Sequence, residues 1–276
     1  MTTIKNKIEI SGISLMDGKE SVVKILPSDK KGIYFYPNNS EKSIKASLEN
    51  VISTRNCTVL GNNEINIKLV EHFMAACAFT GIDSLEVFIS SSELPIFDGS
   101  SLNWVDLLNK AGIQDNISAE KITFENPLYF SSGVTNIVLL PSDEFKITYA
   151  VNFEHPDLEN KWIGWNSKDD AKQIIEARTF GYVKDLNKLQ QSGFALGANF
   201  DNTVGLTETG YTVELRSEYE PIKHKILDLI GDINLYINPF MLNAHIIAQN
   251  AGHSGHFEFG KVIQKYMENK ICQQKK

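Results

Sequence analysis

The chain has 276 residues, 42% of them apolar and 22% charged, and a formal net charge of −7. That length suffices for one large domain or two of roughly 130 residues. The acidic balance argues against a nucleic-acid groove, which needs a Lys/Arg surplus, although one basic pocket for an anionic ligand is compatible with it. Cys57, Cys77 and Cys272 stand far apart without a CxxC, which argues against a disulfide framework or a thiolate zinc knuckle. The opening MTTIKNKIEI lacks the apolar core of a signal peptide, and no run approaches ~18 apolar residues. A cytoplasmic protein with no integral membrane segment and no nucleic-acid partner is expected.

The first 60 residues read as strands. IKNKIEISGISL, ESVVKILP and KGIYFYP cluster β-formers between the turn signals DGK, PSDKKG and PNNS. CTVLGNNEINIKL predicts a hairpin across Gly61, Asn62 and Asn63. LVEHFMAACAFTG predicts a helix of about three turns stopped by Gly81. SLEVFIS is a strand, ELPIFDGSS a tight loop, and SLNWVDLLNKAG a second helix with a Ser cap and closing Gly112. The pattern then restarts. PLYFSSGVTNIVLLP and EFKITYAVNF predict a long hairpin or meander over 127–153. DDAKQIIEAR and VKDLNKLQQSG predict helices, the second stopped by Gly193; NTVGL and GYTVEL predict short strands. IKHKILDLIGDINLYI is a helix, HIIAQNAG a strand and loop, and FGKVIQKYMEN a closing helix that frays through KYMENKICQQKK.

This order predicts an α+β protein of two halves, 1–120 and 121–276, joined near 115–125. The second half carries an inserted strand–helix–strand piece at about 180–207. No residue-level repeat links the halves, so any duplication lies in the structure alone.

Chemistry concentrates in four places. His224 and Asp228 are four apart, on one face of a helix whose Ile226, Leu227, Leu229 and Ile230 are apolar. That spacing suits two ligands of one metal, but on spacing alone a His–Asp surface pair with a salt bridge is the plainer reading. Asp232 extends the stripe by one turn, and three polar groups on a buried stripe need partners or a cation. Glu71-His72 lies among Leu69, Val70, Phe73 and Met74. The pair reads as a general base beside a metal ligand, or as a surface Glu beside a satisfied core His. The segment Gly252-His253-Ser254-Gly255-His256 reads as a mobile loop or a close-approach site. Arg178-Thr179-Phe180-Gly181 says little alone.

Jointly these residues resemble the UDP-3-O-acyl-N-acetylglucosamine deacetylases, zinc amidases of lipid A and lipopolysaccharide synthesis. VEHFMAA, ELPIFDGSS, FEHP, EARTFGY, GFALGANFDN, IKHKILDLIGD and HIIAQNAGH occur in that family's order over about 10–265. The resemblance implies two two-layer α/β sandwich domains, with their helices packed at the interface around the metal. It implies His72, His224 and Asp228 as zinc ligands, iron(II) being an alternative occupant. It implies Glu71 as general base and His253 as the acid, with His256 a local competitor for that role. Asp232 would hold His253, and Thr179 would donate to the oxyanion. Lys225, pointing away from the metal pair, would contact the sugar or phosphate of a UDP-linked acylated amino-sugar. Phe180 would meet the sugar face, and Tyr182, Leu186 and Phe200 would line an acyl channel. A monomer is expected.

The chain departs from the family at Met16, where a histidine is usual, at Lys68-Leu69, where small hydroxylated residues are usual, and at Ala198 and Ala244 in place of glycines. No ligand or acid–base residue is lost. Two other readings therefore remain: a relative acting on another acetylated amino-sugar, and a catalytically silent binding protein on the same fold.

Overall fold

The computed structural model of the chain describes residues 1–114 and 121–274. Six of the residues at the expected junction, 115–120, lie outside that range.

The first half opens with β1 (Thr3–Ile4), β2 (Ile8–Ile13), β3 (Glu20–Pro27), β4 (Gly32–Tyr36) and β5 (Ile44–Lys45). Alternation drives these strands: in β3, Ser21, Val23 and Ile25 are buried while Val22 and Lys24 are exposed. A small antiparallel sheet follows, formed by β6 (Val51–Ser53), β7 (Val59–Gly61) and β8 (Asn66–Lys68). The expected hairpin is its β7–β8 pair, with Leu60 opposite Ile67. Helix α1 (Glu71–Thr80), strand β9 (Ser84–Ile89), helix α2 (Leu102–Lys110) and strand β10 (Ile113–Gln114) complete the half. Gly81 ends α1 in the left-handed conformation, φ 72°. Ser101 does not cap α2 as expected: its hydroxyl donates to the His72 carbonyl at 2.8 Å. Ser100 Oγ instead accepts from the Leu102 N–H.

The second half contains β11 (Ile122–Thr123), β12 (Leu128–Ser132), β13 (Thr135–Pro141), β14 (Lys146–Val151) and β15 (Lys161–Asn166). After them come α3 (Lys172–Ile175), β16 (Phe180–Tyr182), α4 (Val183–Gln191), β17 (Val204–Leu206), α5 (Glu220–Ile233), β18 (Leu242–Gln249) and α6 (His253–Gln274). The β16–α4–β17 unit is the inserted piece, its two strands parallel.

Three expectations need correction. The 127–153 segment is not a meander: β12 and β13 form a hairpin, but β18 lies between β13 and β14. Its Leu242, Ala244, Ile246 and Ala248 all point into the core, so the central place buries it on both edges. GYTVEL is not a strand, because Tyr211 makes a single bridge to Leu206 and the Glu214 carbonyl is taken by Arg178. DDAKQIIEAR is helical only over the four residues of α3.

The two main sheets share one topology. The first runs β2-β3-β9-β4-β5 and the second β12-β13-β18-β14-β15. In each, the central strand is antiparallel to one hairpin and parallel to the other. In each, a helix enters the central strand and another leaves it. The duplication absent from the residues is present in the fold.

Helices α1 and α5, the two that enter the central strands, pack on each other. Phe73, Met74, Ala76 and Cys77 of α1 belong to the first core, and Ala75 and Ala78 to the second. Gly231 sets the approach: a Cβ there would overlap the Glu71 carbonyl oxygen and sit 2.8 Å from its carbon.

Candidate metal and catalytic site

The α1–α5 crossing brings together what the sequence places 150 residues apart. Glu71 and His72 occupy the first turn of α1; His224, Asp228 and Asp232 stand on successive turns of α5, and all five are buried. His224 Nε2 lies 3.4 Å from Asp228 Oδ1, and His72 Nε2 lies 3.8 Å from the same atom. The two imidazole rings meet edge to face with centroids 4.9 Å apart.

The two histidine candidates are positioned by their neighbours. His224 Nδ1 donates to the Ala177 carbonyl at 2.9 Å, which leaves Nε2 bare and aimed at Asp228. The first turn of α1 is fixed by Ser101 on the His72 carbonyl. Ala177 is fixed through its neighbour Arg178, whose guanidinium meets the fully buried Glu220 of α5 at 2.8 and 3.0 Å.

The electrostatics favour a cation. Burial, reinforced by His224, pushes His72 down to about 3, and burial lowers His224 too, so both rings are neutral. Burial opposes the charged form of Asp228, but Lys225 and then the surrounding imidazoles outweigh it, so its carboxyl lies well below the usual range. Its Oδ1 is buried without a hydrogen-bond partner. An orphaned carboxylate oxygen facing the bare His224 nitrogen and the neutral His72 ring is costly unless a cation sits among them. The three donor atoms lie within 4.8 Å of one another. The residues fit a divalent ion of the zinc type, with two nitrogens and one oxygen. Asp232, His253 and His256 also cluster, but their donor atoms are already satisfied by each other.

That second cluster flanks the first. Asp232 Oδ2 takes His253 Nδ1 at 2.7 Å and His256 Nδ1 at 2.8 Å, and Oδ1 takes the Thr58 hydroxyl at 2.6 Å. The Thr58 N–H donates to Glu71 Oε2 at 3.1 Å. His253 Nε2 faces Glu71 Oε1 at 3.6 Å and Asp228 Oδ2 at 4.0 Å. His256 Nε2 faces away, 2.9 Å from the Tyr149 hydroxyl. Burial pushes Glu71 up to about 8, His253 counteracting and Asp232 and Asp228 adding to it. Burial works against protonated His253, yet Asp232, Asp228 and Glu71 outweigh it and bring it to about 9.

The GHSGH segment is not a loop. It forms the first turn of α6, which places His253 and His256 three apart on one face toward Asp232. Lys225 does not point away from the metal pair either: its Nζ lies 2.6 Å from Asp228 Oδ2, because i,i+3 spacing turns it onto the same side of α5. The Phe180 ring stands perpendicular to that of His224, with centroids 6.1 Å apart. Thr179 lies beside it, its N–H on the Gly99 carbonyl.

Thr179 and Phe180 stand at one side of an apolar cavity of about 280 Å³, which Met16, Tyr182, Leu186 and Phe200 also line. Phe200 is 65% exposed and so marks the rim. Thr58 and Tyr149 were not singled out from the sequence. No local signal marks Thr58. Tyr149 carried one: the alternation of KITYAV turns it inward, where its hydroxyl needs a partner.

Two imidazoles and a carboxylate converge beside a further buried glutamate and histidine, a donor set that fits a divalent metal ion. Fold and site thus define a metal-dependent hydrolase of α+β architecture. The chain belongs to the UDP-3-O-acyl N-acetylglycosamine deacetylase family, whose sequence profile matches residues 1–265. It is similar to proteins named UDP-3-O-acyl-N-acetylglucosamine deacetylase from several bacteria. That of Leptospira biflexa is 36% identical over 99% of this chain and 93% of its own length. That of Thermodesulfovibrio yellowstonii is 37% identical over 93% and 89%. That of Chlamydia pneumoniae is 34% identical over 96% and 97%.

Proposed function

We propose that the chain hydrolyses the acetamide of a UDP-linked 3-O-acyl-N-acetylglucosamine, the committed step of lipid A synthesis. Water adds to the amide carbonyl carbon, the C–N bond breaks, and acetate and the free sugar amine leave. The observation that carries this reading is the convergence of His72, His224 and Asp228 beside Glu71, with Phe180 standing between His224 and an apolar cavity.

Zinc is the ion this donor set suits best, with iron(II) an alternative; when bound it supplies Lewis acidity toward the carbonyl and toward water. The chain's own residues divide the proton transfers. Glu71 takes the proton from the attacking water, and a neighbouring dication would draw its pKa down from the raised value so that it acts as a base. His253, protonated at neutral pH, gives its Nε2 proton to the departing amine nitrogen. Asp232 holds the other ring nitrogen. Thr179 donates to the developing oxyanion, and Lys225 turns from Asp228 to the sugar or phosphate. Phe180 meets the sugar face, while Tyr182, Leu186 and Phe200 receive the acyl chain.

The reading carries with it a cytoplasmic monomer and two domains, 1–120 and 121–276. Among the described residues no helix is long and apolar enough to cross a membrane. The test is metal content followed by acetate release from UDP-3-O-acyl-N-acetylglucosamine. Stoichiometric zinc with no acetate released would shift the substrate to another acetylated amino-sugar, as the Met16 departure allows. Metal-free, inert protein would leave a binding protein on this fold.

A further inference from the structure

His256 is the one buried imidazole at the site that the proposed chemistry leaves unused. It is 1% exposed and shares the first turn of α6 with His253. Burial lowers its pKa, so the ring is neutral and carries a single N–H. Asp232, ionised, can only accept. The proton on His256 therefore sits on Nδ1 and is donated to Asp232 Oδ2 at 2.8 Å. Nε2 lies on the far side, 2.9 Å from the Tyr149 hydroxyl oxygen, whose own proton is donated to the Ala251 carbonyl at 2.8 Å.

We infer that His256, donating its Nδ1–H to Asp232, is a positioning residue that anchors this carboxylate so that His253 presents Nε2 to the reacting centre. The inference rests on the reading of His253 as proton donor. A carboxylate held by one imidazole can swing about its terminal torsion and carry the ring with it. Here two further donors from separate elements fix it. Thr58, from the turn before β7, holds Oδ1, and His256, from α6, holds Oδ2. The His256 backbone is itself confined. A Cβ at the adjacent Gly255 would lie 2.9 Å from Thr135 Cγ2, so the first turn of α6 sits directly on β13. The Thr135 hydroxyl also donates to the Asn250 carbonyl just before the helix, at 2.9 Å. The alternative, that His256 only fills space, makes its shape matter and its N–H not.

The full-length, zinc-loaded enzyme separates the two. His256→Leu should lower kcat by about tenfold or more, with KM within about threefold and zinc content unchanged, as expected for a misaligned proton donor. His256→Asn puts an amide N–H where Nδ1–H was, and should recover kcat to within about threefold of the parent. In ¹⁵N-histidine NMR, the hydrogen-bonded Nδ1–H of His253 should stay visible in His256→Asn and broaden by exchange in His256→Leu. Equal losses in the Leu and Asn variants would overturn the inference, as would a loss expressed in KM or in zinc. Should His256→Leu not fold, His256→Met takes its place: unaltered kcat with an unaltered His253 N–H signal overturns the inference. His253→Ala belongs in the same panel. If that variant kept its rate within about tenfold, the proton-donor reading itself would fail, which is a different result from a silent His256.

Discussion

Gly231→Ala tests whether the α1–α5 crossing sets the site. By helix propensity alone the change should stabilise the protein by about 0.5–1 kcal/mol, because Gly231 is interior to α5. The structure reverses the sign. The added methyl would overlap the Glu71 carbonyl oxygen, lie 2.8 Å from its carbon and 3.2 Å from the Ala75 nitrogen. All three are backbone atoms, so no rotamer change relieves the contact. The helices must part by about 1 Å to restore ordinary van der Waals distances. Overpacking of this kind costs about 1–3 kcal/mol, which at this chain length lowers Tm by about 2–4 °C per kcal/mol. Function should suffer more than stability. Glu71 and His72 ride on α1, while His224 and Asp228 ride on α5. A displacement of about 1 Å exceeds by far the ~0.2 Å tolerance of a metal–ligand bond and lowers rate about 100-fold when it misplaces reacting groups. The assay is acetate release, zinc content and thermal melting on one preparation. A Gly231→Ala enzyme with full zinc, a raised Tm and a rate within about threefold of the parent would refute the claim that this contact fixes the site.

Other outcomes follow from individual residues. Glu71→Ala should retain zinc, since Glu71 is outside the donor triad, and lose about 100-fold or more in kcat; a loss under about tenfold, or ~1.4 kcal/mol of barrier, would remove Glu71 as base. His224→Ala should lose the metal, read directly by metal analysis, because the remaining donors are one imidazole and one carboxylate. His253 must be protonated to donate, so kcat/KM should fall as pH rises, and a bound dication places that fall below the metal-free value of about 9. The same shift makes a stability statement. The folded pKa lies above the unfolded value, so the His253–Asp232 interaction stabilises fully below the ordinary histidine range and fades as pH rises toward about 9. Urea unfolding of metal-free protein on both sides of that window measures it, and a flat profile contradicts the assignment.

The part of the site carried by single helices was legible in the sequence. His224, Asp228 and Asp232 recur at one-turn spacing among apolar residues, and Glu71-His72 sits in an apolar helix, so periodicity alone puts each set on one face. What periodicity does not encode is which distant element supplies the next partner. Thr58 reaches across 174 residues to Asp232, and β18 enters the sheet between strands about a hundred residues earlier. The loop expected for the GHSGH run gives way to a helix for a related reason: glycine lowers helix propensity, but the hold of Asp232 on both imidazoles and the tight seat of Gly255 on β13 override it.

The repeated topology gives these scattered contacts a common origin. In each half, the helix entering the central strand meets its counterpart, and the three metal-ligand candidates are divided between these two helices alone. In each half, too, an extra piece interrupts the chain between the fifth sheet strand and that helix: β6–β8 before α1, and β16–α4–β17 before α5. The two pieces occupy equivalent places in the topology, so they converge on the same junction from opposite halves. The first delivers Thr58 to Glu71 and Asp232. The second delivers Thr179, Phe180 and the wall of the apolar cavity. A scaffold of two like halves thus places the donors at its shared helix pair, and the two unlike insertions supply what distinguishes one side of the site from the other.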